Sequence, residues 1–423
     1  MVRRIRLTAF VLMAALLITG CSMSGVQALY NPPKRPENGN HLQSAIDEAM
    51  TGLTYCAPMS GDNRQTLQKA DLTGDGVDEY ILFAKGMAEK PLRVLIFGKN
   101  AGDYQLLDMI ELYGTAFEQV EYVDLDGKAG LEMVLGSRMN DHVIRSAAVY
   151  SFSSGLSQLM RENYHKLLTC DLNSDGIGEL LLFKNDQQAA SASLYAAENG
   201  VLQRTAEISL FDSIDNIDSI TASYLADAQP AVYIAGGTEN STIIQILTVN
   251  VGEFTTFTFE NLTKYDGQLT DIDSDGIPEL PEVIQLRRLG AQTLDMIRWF
   301  AVDGKGQQTD KCYTFHPPEQ GWYLTLPMEW IRYLSATRRE DGYTFYVWNE
   351  SFTNYEQIFS IHILTGENRE EEAQISNRFV LYRTEELVCA ARLEAASAAY
   401  GITQESLTNS FHLIRMDWNT GET

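Results

Sequence analysis

Asp171-Leu-Asn173-Ser-Asp175-Gly-Ile-Gly-Glu179, followed at once by Leu180-Leu-Leu-Phe183, is the stretch whose reading decides the fold. The phrase recurs as Asp71-Leu-Thr73-Gly-Asp75-Gly-Val77-Asp-Glu79 and as Asp271-Ile-Asp273-Ser-Asp275-Gly-Ile277-Pro-Glu279. A worn copy, Asp124-Leu-Asp126-Gly-Lys128-Ala-Gly-Leu-Glu132, lies between the first two. Apolar runs follow, Tyr80–Phe83, Met133–Leu135 and Leu180–Phe183, and aligning Val232-Tyr-Ile234 with them places a further register at Ser223, where the acids are lost. The starts at 71, 124, 171, 223 and 271 give a period near 50 residues. Such a period means stacked or radial repeats, each one supersecondary unit unable to bury its face alone.

The residue types at these positions point to a cation. Positions 1, 3, 5 and 9 supply side-chain oxygens, position 7 offers a carbonyl, and glycine at position 6 permits the sharp turn, which together suit an ion of Ca²⁺ size. An EF-hand would need a bidentate Glu at position 12, where Leu82 and Leu182 stand. Only the last copy has an acid there, Glu282, and Pro278 and Pro281 oppose a helix start. Asp-Gly turns alone would explain one copy, but not three with the same acid pattern.

The loop-then-strand phrase resembles the calcium-binding FG-GAP (integrin-α type) and VCBS-type repeats of β-propellers, over roughly residues 60–317. In that family the cation loop joins the first two strands of a blade. The resemblance implies three calcium sites. They are Asp71, Thr73, Asp75, the Val77 carbonyl and Glu79; Asp171, Asn173, Asp175, Ile177 and Glu179; and Asp271, Asp273, Asp275, Ile277 and Glu279. In the second loop Lys128 stands where a carboxylate belongs, so a salt bridge is expected in place of an ion, and the fourth register is expected to hold none. The arrangement is also similar to bacterial VCBS-type lipoproteins with a distinct C-terminal region.

Four strands fall in each period: Glu79–Phe83, Leu92–Phe97, Tyr104–Leu112 and Gln119–Val123, then Leu131–Leu135, Ala147–Phe152, Leu156–Met160 and Lys166–Cys170. The expectation is a mainly β chain with a propeller of about five four-stranded blades, closed by Gln65–Ala70 joining the last blade near Lys311–Phe315. Past Pro317 the repeat stops. Alternating runs at Ile331–Ala336, Tyr343–Trp348, Gln357–Leu364, Phe379–Leu381 and Leu387–Leu393 precede helical segments at Glu394–Tyr400 and Gln404–Ile414. That region reads as an α+β domain with its own core, crowded with Trp322, Tyr323, Trp330, Tyr333, Tyr343, Tyr346, Trp348, Phe352 and Tyr355. Aromatics on this scale serve a core or stack on sugars.

At the N-terminus Arg3, Arg4 and Arg6 precede the apolar run Leu7–Ile18 and then Thr19-Gly20-Cys21. This is the pattern of a secretory signal with a lipobox, and the run is short for a spanning helix. Cleavage would leave Cys21 lipidated, with two chains giving a stable membrane anchor. The expected division is a signal peptide at 1–20, a tether at 21–40, the propeller at 41–317 and the C-terminal domain at 318–423.

The net charge of −25 becomes near −28 when the three signal arginines leave, which excludes nucleic acid as a partner and argues against binding to anionic lipid faces. Outside the cell, millimolar calcium fills weak sites. Cys56, Cys170, Cys312 and Cys389 allow three disulfide connectivities; a propeller would bring Cys56 near Cys312, while Cys170 reads as a buried small apolar residue. There is no HExxH, G-x-S-x-G or P-loop, and His41, His142, His165, His316, His362 and His412 are scattered. The reading adopted is an extracytoplasmic, lipid-anchored, calcium-stabilised binding or scaffold module with a cell-surface protein or glycan as partner. The alternatives are a carbohydrate- or wall-polymer binder using the aromatic C-terminal region, and a hydrolase or lyase with its site in the propeller channel. Quenching of exposed Trp by glycans would favour the first, and a histidine converging with a carboxylate the second.

Overall fold

An exposed acidic loop can contribute little burial, so the apolar run behind it must supply the core. A computed structural model describes residues 37–413 except 101, 140–144, 186–189, 199–200, 239–240, 251, 263–269, 292 and 318–320. The signal peptide, Cys21 and residues 22–36 of the tether lie outside the described residues. The described residues divide into two units, one of 37–57, 66–69 and 78–112, the other of 58–65, 70–77 and 113–413.

The first unit is a helix on a sheet. Helix α1 (Glu37–Ala49) takes in the last residues expected of the tether. Its Leu42, Ala45, Ile46 and Ala49, at helical spacing, pack on Leu82, Leu95 and Phe97. The sheet places Thr54–Tyr55 and Leu67–Ala70 beside Glu79–Lys85, followed by Leu92–Asn100 and Asp103–Leu112.

The second unit contains five antiparallel sheets. Those numbered two to four here are Ala116–Val123, Glu132–Arg138, Arg145–Ser151 and Ser157–Tyr164; Lys166–Cys170, Glu179–Asn185, Ala190–Glu198 and Val201–Ser209; and Ile217–Tyr224, Pro230–Thr238, Ser241–Asn250 and Glu253–Leu262. The fifth runs Leu280–Gln285, Asp295–Val302, Gln308–Phe315, Trp322–Leu326 and Phe411–Leu413. The sixth runs Leu334–Arg339, Gly342–Trp348, Tyr355–Thr365, Leu387–Leu393 and Phe379–Arg383.

Period-two alternation explains how these sheets pack. Along Glu179–Asn185, Leu180 and Leu182 join Val134 and Val149 of the second sheet, while Leu181 and Phe183 join Val232 and Ile234 of the fourth. Tyr233 and Ile246 of the fourth sheet meet Phe300 and Val302 of the fifth. A continuous apolar run is therefore needed, because the strand is covered on both faces. Each fully buried Leu on it stabilises the fold by about 1.5–3 kcal/mol.

Several expectations are corrected. The strand entering each loop pairs with the strand leaving it, Val123 with Glu132 and Cys170 with Glu179, so Gln119–Val123 opens the second sheet and does not end the first. Leu67–Ala70 pairs with Glu79–Lys85, and the free side of Gln308–Phe315 is taken by Trp322–Leu326, so the anticipated closing pair is not formed. The Pro317 boundary also falls inside the fifth sheet, where Phe315 pairs with Leu324. Met296, Phe315, Trp322, Phe345 and Phe359 share one cluster, so the main core of the C-terminal region is continuous with the fifth sheet, beside a small cluster of its own at Leu364, Ala373, Val388 and Ala390. Its second helix stops at Ser410, and Phe411–Leu413 becomes a strand against Trp322–Leu324. Ala395–Tyr400 is a 3₁₀ helix ended by left-handed Gly401. The four cysteines among the described residues are free thiols, and burial pushes those of Cys170 and Cys312 up to about 12.

Candidate metal centres

The acidic loops are built by their first residue. In the third loop Asp171 Oδ2 accepts the Gly176 amide at 3.0 Å, Asn173 Oδ1 that of Asp175 at 2.8 Å, and Asp175 Oδ1 that of Ile177 at 2.8 Å. The fifth loop repeats this, with Asp271 accepting from Asp275 at 3.0 Å and Gly276 at 2.8 Å, and Asp275 from Ile277 at 2.9 Å. In the first, Asp71 accepts from Gly74 at 2.7 Å and Gly76 at 2.9 Å. The curl needs left-handed backbone at positions 4 and 6: Ser174 and Gly176 have φ of 61° and 85°, Ser274 and Gly276 62° and 86°. In the second loop Ala129 at position 6 cannot adopt this readily, and the turn moves to Gly130, at 94°.

Position 9 supplies the buried acid. Glu179 and Glu279 are 2% and 1% exposed, and each accepts the position 2 amide, Leu172 at 2.7 Å and Ile272 at 2.9 Å. Burial pushes both carboxyls up to about 7. Three clusters bring carboxylate oxygens within 4.8 Å of one another: Asp171, Asp175 and Glu179; Asp271, Asp273 and Glu279; and Asp124, Asp126 and Glu132. These clusters could hold metal ions. Two further observations fit a cation: Asp171 Oδ1 and Glu279 Oε1 are buried and accept no hydrogen bond, which is costly for oxygens that ligate nothing.

The first loop, with Thr73 at position 3, is not among the three clusters. The second is, although Lys128 Nζ stands 2.7 Å from Asp126 Oδ2, as its place at position 5 foretold. Ser223, read as the start of a fourth loop, lies within a strand paired to Ala231, and the connection shrinks to residues 225–229.

Lys311 went unseen in the sequence. From the third strand of the fifth sheet its ammonium bonds Asp275 and stands 3.6 Å from Asp273 Oδ2. Only strand order brings it there. Neighbouring loops also bond each other: Leu131 donates to the Asp71 carbonyl at 3.0 Å and Gly178 to that of Asp124 at 2.8 Å. The fifth loop has Pro278 at the corresponding position and cannot donate.

A second grouping was also missed. His362 Nδ1 lies 2.6 Å from Asp341 Oδ2 and its Nε2 3.0 Å from Ser360 Oγ, the partner order of a serine-hydrolase triad. Ser360 is 1% exposed, so this is a buried hydrogen-bonded network and not a nucleophile open to substrate. The C-terminal aromatics are largely core: Trp322, Tyr323 and Tyr343 are buried, while Tyr355 is exposed beside Trp348 with ring centres 4.8 Å apart.

No family model and no curated protein matches the chain. Among solved structures it is similar to a rhamnogalacturonan lyase of Bacillus licheniformis, at 13% identity over 81% of this chain and 76% of that one, with TM-score 0.32. It is also similar to a protein from Lactobacillus plantarum, at 12% identity over 71% and 85%, TM-score 0.30. A GH43 β-1,3-galactosidase matches at 11% identity over 61% and 97%, TM-score 0.28. Likenesses this slight carry no argument about activity.

Proposed function

We propose that the chain is a lipid-anchored, extracytoplasmic binding or scaffold protein whose stacked, blade-like sheets are held in register by Ca²⁺. The ions would sit in the loops of Asp71, Asp171 and Asp271. The observation that carries this reading is the repeated convergence of carboxylates at position 9 with unpartnered oxygens, in the third loop at Asp171 and in the fifth at Glu279. All-oxygen sites of carboxylates and carbonyls select calcium over softer metals. Anchoring through Cys21 is supported by the arginine–apolar–lipobox sequence. Fatty-acid labelling tests that part: label should be lost in Cys21→Ser, and label retained there would refute it. A melt with and without EDTA tests the metal. Chelation should lower the transition by several degrees, and an indifferent curve would reduce the loops to turns.

The hydrolase or lyase reading has one observation in its favour, that His165, Asp218 and Glu118 line a single cavity. Glu118 is held by Arg138 at 2.7 Å and Arg145 at 3.2 Å, which leaves His165 and Asp218 for any acid–base work. Release of reducing ends from a supplied polysaccharide would support it, and their absence across a polysaccharide panel would count against it.

A further inference from the structure

One hairpin loop of the sixth sheet holds a strained aromatic residue. Phe352, between Gly342–Trp348 and Tyr355–Thr365, has left-handed backbone at φ 55°, a conformation costly for a bulky side chain. Asn349 fixes the loop: its Oδ1 accepts the Thr353 amide, its Nδ2 donates to Thr353 Oγ1 and its carbonyl accepts the Phe352 amide, each at 2.9 Å. Strain of this kind persists only where the surroundings impose it, and it collects at ligand clamps. Core burial does not account for it here, because Phe352 is only half-buried and stands outside the cluster on which Tyr333 packs. Its ring instead stacks on Tyr333 with centres 5.4 Å apart, and it carries two guanidiniums, Arg287 at 3.7 Å and Arg332 at 5.5 Å from its centre.

Those two cations give the surface its character. Both are exposed, and both stand within 5.5 Å of one ring, where like charges repel unless an anion joins them. Among the described residues no carboxylate forms an ion pair with either, Glu350 of the same loop included, whereas Arg298 holds Glu282 and Asp310 at 2.7 and 2.6 Å. The rings continue from there. Arg287 also lies 5.9 Å from the Trp348 ring centre, Trp348 is 4.8 Å from Tyr355, and Tyr355 is 5.6 Å from Tyr346. Tyr355 is 48% exposed. Trp348 Nε1 donates to Ser335 Oγ at 2.8 Å, and that hydroxyl donates to the Arg287 carbonyl at 2.6 Å, so ring and arginine share one mount.

We infer that this strip binds an acidic polysaccharide whose sugars carry carboxylates, with Arg287 and Arg332 taking the carboxylates and Tyr355 and Trp348 the C–H faces of the sugars. A guanidinium fork matches a carboxylate and can keep its stack on an aromatic face while doing so. A pyranose ring has an apolar face and a polar rim, which suits half-exposed tyrosine, apolar in body and wet at its tip. Protein partners also favour Trp, Tyr and Arg, but their hot spots need an apolar anchor open to desolvation. Here Phe352, the most apolar ring of the strip, is already covered by Arg287 and Tyr333. The inference names a ligand class for the binding reading and rests on that reading. It does not involve the acidic loops.

The test is isothermal titration of the full mature chain with a galacturonate tetramer, with the neutral galactose tetramer and inorganic polyphosphate as comparisons. It is run without free calcium, which galacturonate would itself take up, and the calcium content of the same protein is measured beforehand. The galacturonate tetramer should bind at least tenfold more tightly than either comparison, and less tightly as salt is added. Arg287→Gln and Arg332→Gln should each weaken it fivefold or more and Tyr355→Ala about threefold, while Arg383→Gln, an exposed arginine elsewhere on the sixth sheet, should leave it unchanged. Absence of heat, equal binding of the neutral tetramer, tighter binding of polyphosphate, or an Arg383→Gln loss as large as that of Arg332→Gln would overturn the inference. Should Arg287→Gln fail to fold, Arg332→Gln and Tyr355→Ala decide, because both side chains are exposed. A calcium-loaded chain that ignores the glycan sinks this inference and leaves the metal reading standing; a calcium-free chain that binds it does the reverse.

Discussion

Glu279 is the residue where the metal account can be tested most sharply without counting ions. It is 1% exposed, its Oε2 accepts the Ile272 amide, and its Oε1 has no partner. Burial raises its pKa from 4.5 to about 7. A raised carboxyl pKa means the ion-free fold prefers the protonated form. That contribution is fully present below about pH 4.5 and is lost as pH rises through 7. At 1.36 kcal/mol per unit, the loss by pH 8 is on the order of 3 kcal/mol. A bound divalent cation reverses the sign, since it favours the carboxylate. In EDTA, Glu279→Gln should therefore be more stable than the parent at pH 8 by up to about 3 kcal/mol, and nearly equal at pH 5. The amide oxygen can keep the Ile272 N–H, and the NH₂ carries no charge to set against Asp273 and Asp275. In millimolar calcium the order should invert at pH 8. Circular-dichroism melts at pH 5 and 8, with calcium or EDTA, read all four cases. A parent whose EDTA melt is flat across that range, or a variant less stable than the parent in EDTA at pH 8, would refute the reasoning.

The other predictions are structural. Lys311→Met removes the ammonium from Asp273 and Asp275, so calcium affinity of the fifth loop should rise about tenfold, measured by titration, while the ion-free protein loses stability. Gly136→Ala should cost about 1–3 kcal/mol through overpacking against Tyr164, with Tyr164→Phe recovering part of it in a denaturant double-mutant cycle. Deleting residues 318–423 should yield an aggregating chain and not a folded repeat region, because Phe315 and Met296 would lose Trp322, Phe345 and Phe359; a soluble, cooperatively melting truncation would show separate cores.

How much of this was legible in the sequence follows from the range of each signal. The loops, the strands behind them and the lysine that replaces an acid at position 128 are local, and local spacing decided them. Nearly every strand of the first two periods was placed, yet Gln119–Val123 went to the wrong sheet, because only pairing of Val123 with Glu132 distinguishes the end of one sheet from the start of the next. The same ambiguity put a domain boundary at Pro317. The acidic phrase does stop there, but the sheet does not, since Trp322–Leu326 finds its partner across the gap. Lys311 and the Ser360–His362–Asp341 network were invisible for a related reason. Ser360 and His362 are two apart on one strand face, a hint within reach, but Asp341 joins them only through the register of a hairpin.

The central claim is that the acidic loops are calcium sites, and the direct measurement is the metal content of the purified mature chain after equilibration in millimolar calcium and gel filtration. Three ions per chain are predicted, falling to two in Asp175→Ala and likewise in Asp275→Ala, and unchanged in Asp126→Ala, where Lys128 already holds the carboxylate. A chain that carries no calcium under those conditions, or whose count is indifferent to Asp175 and Asp275, would contradict it.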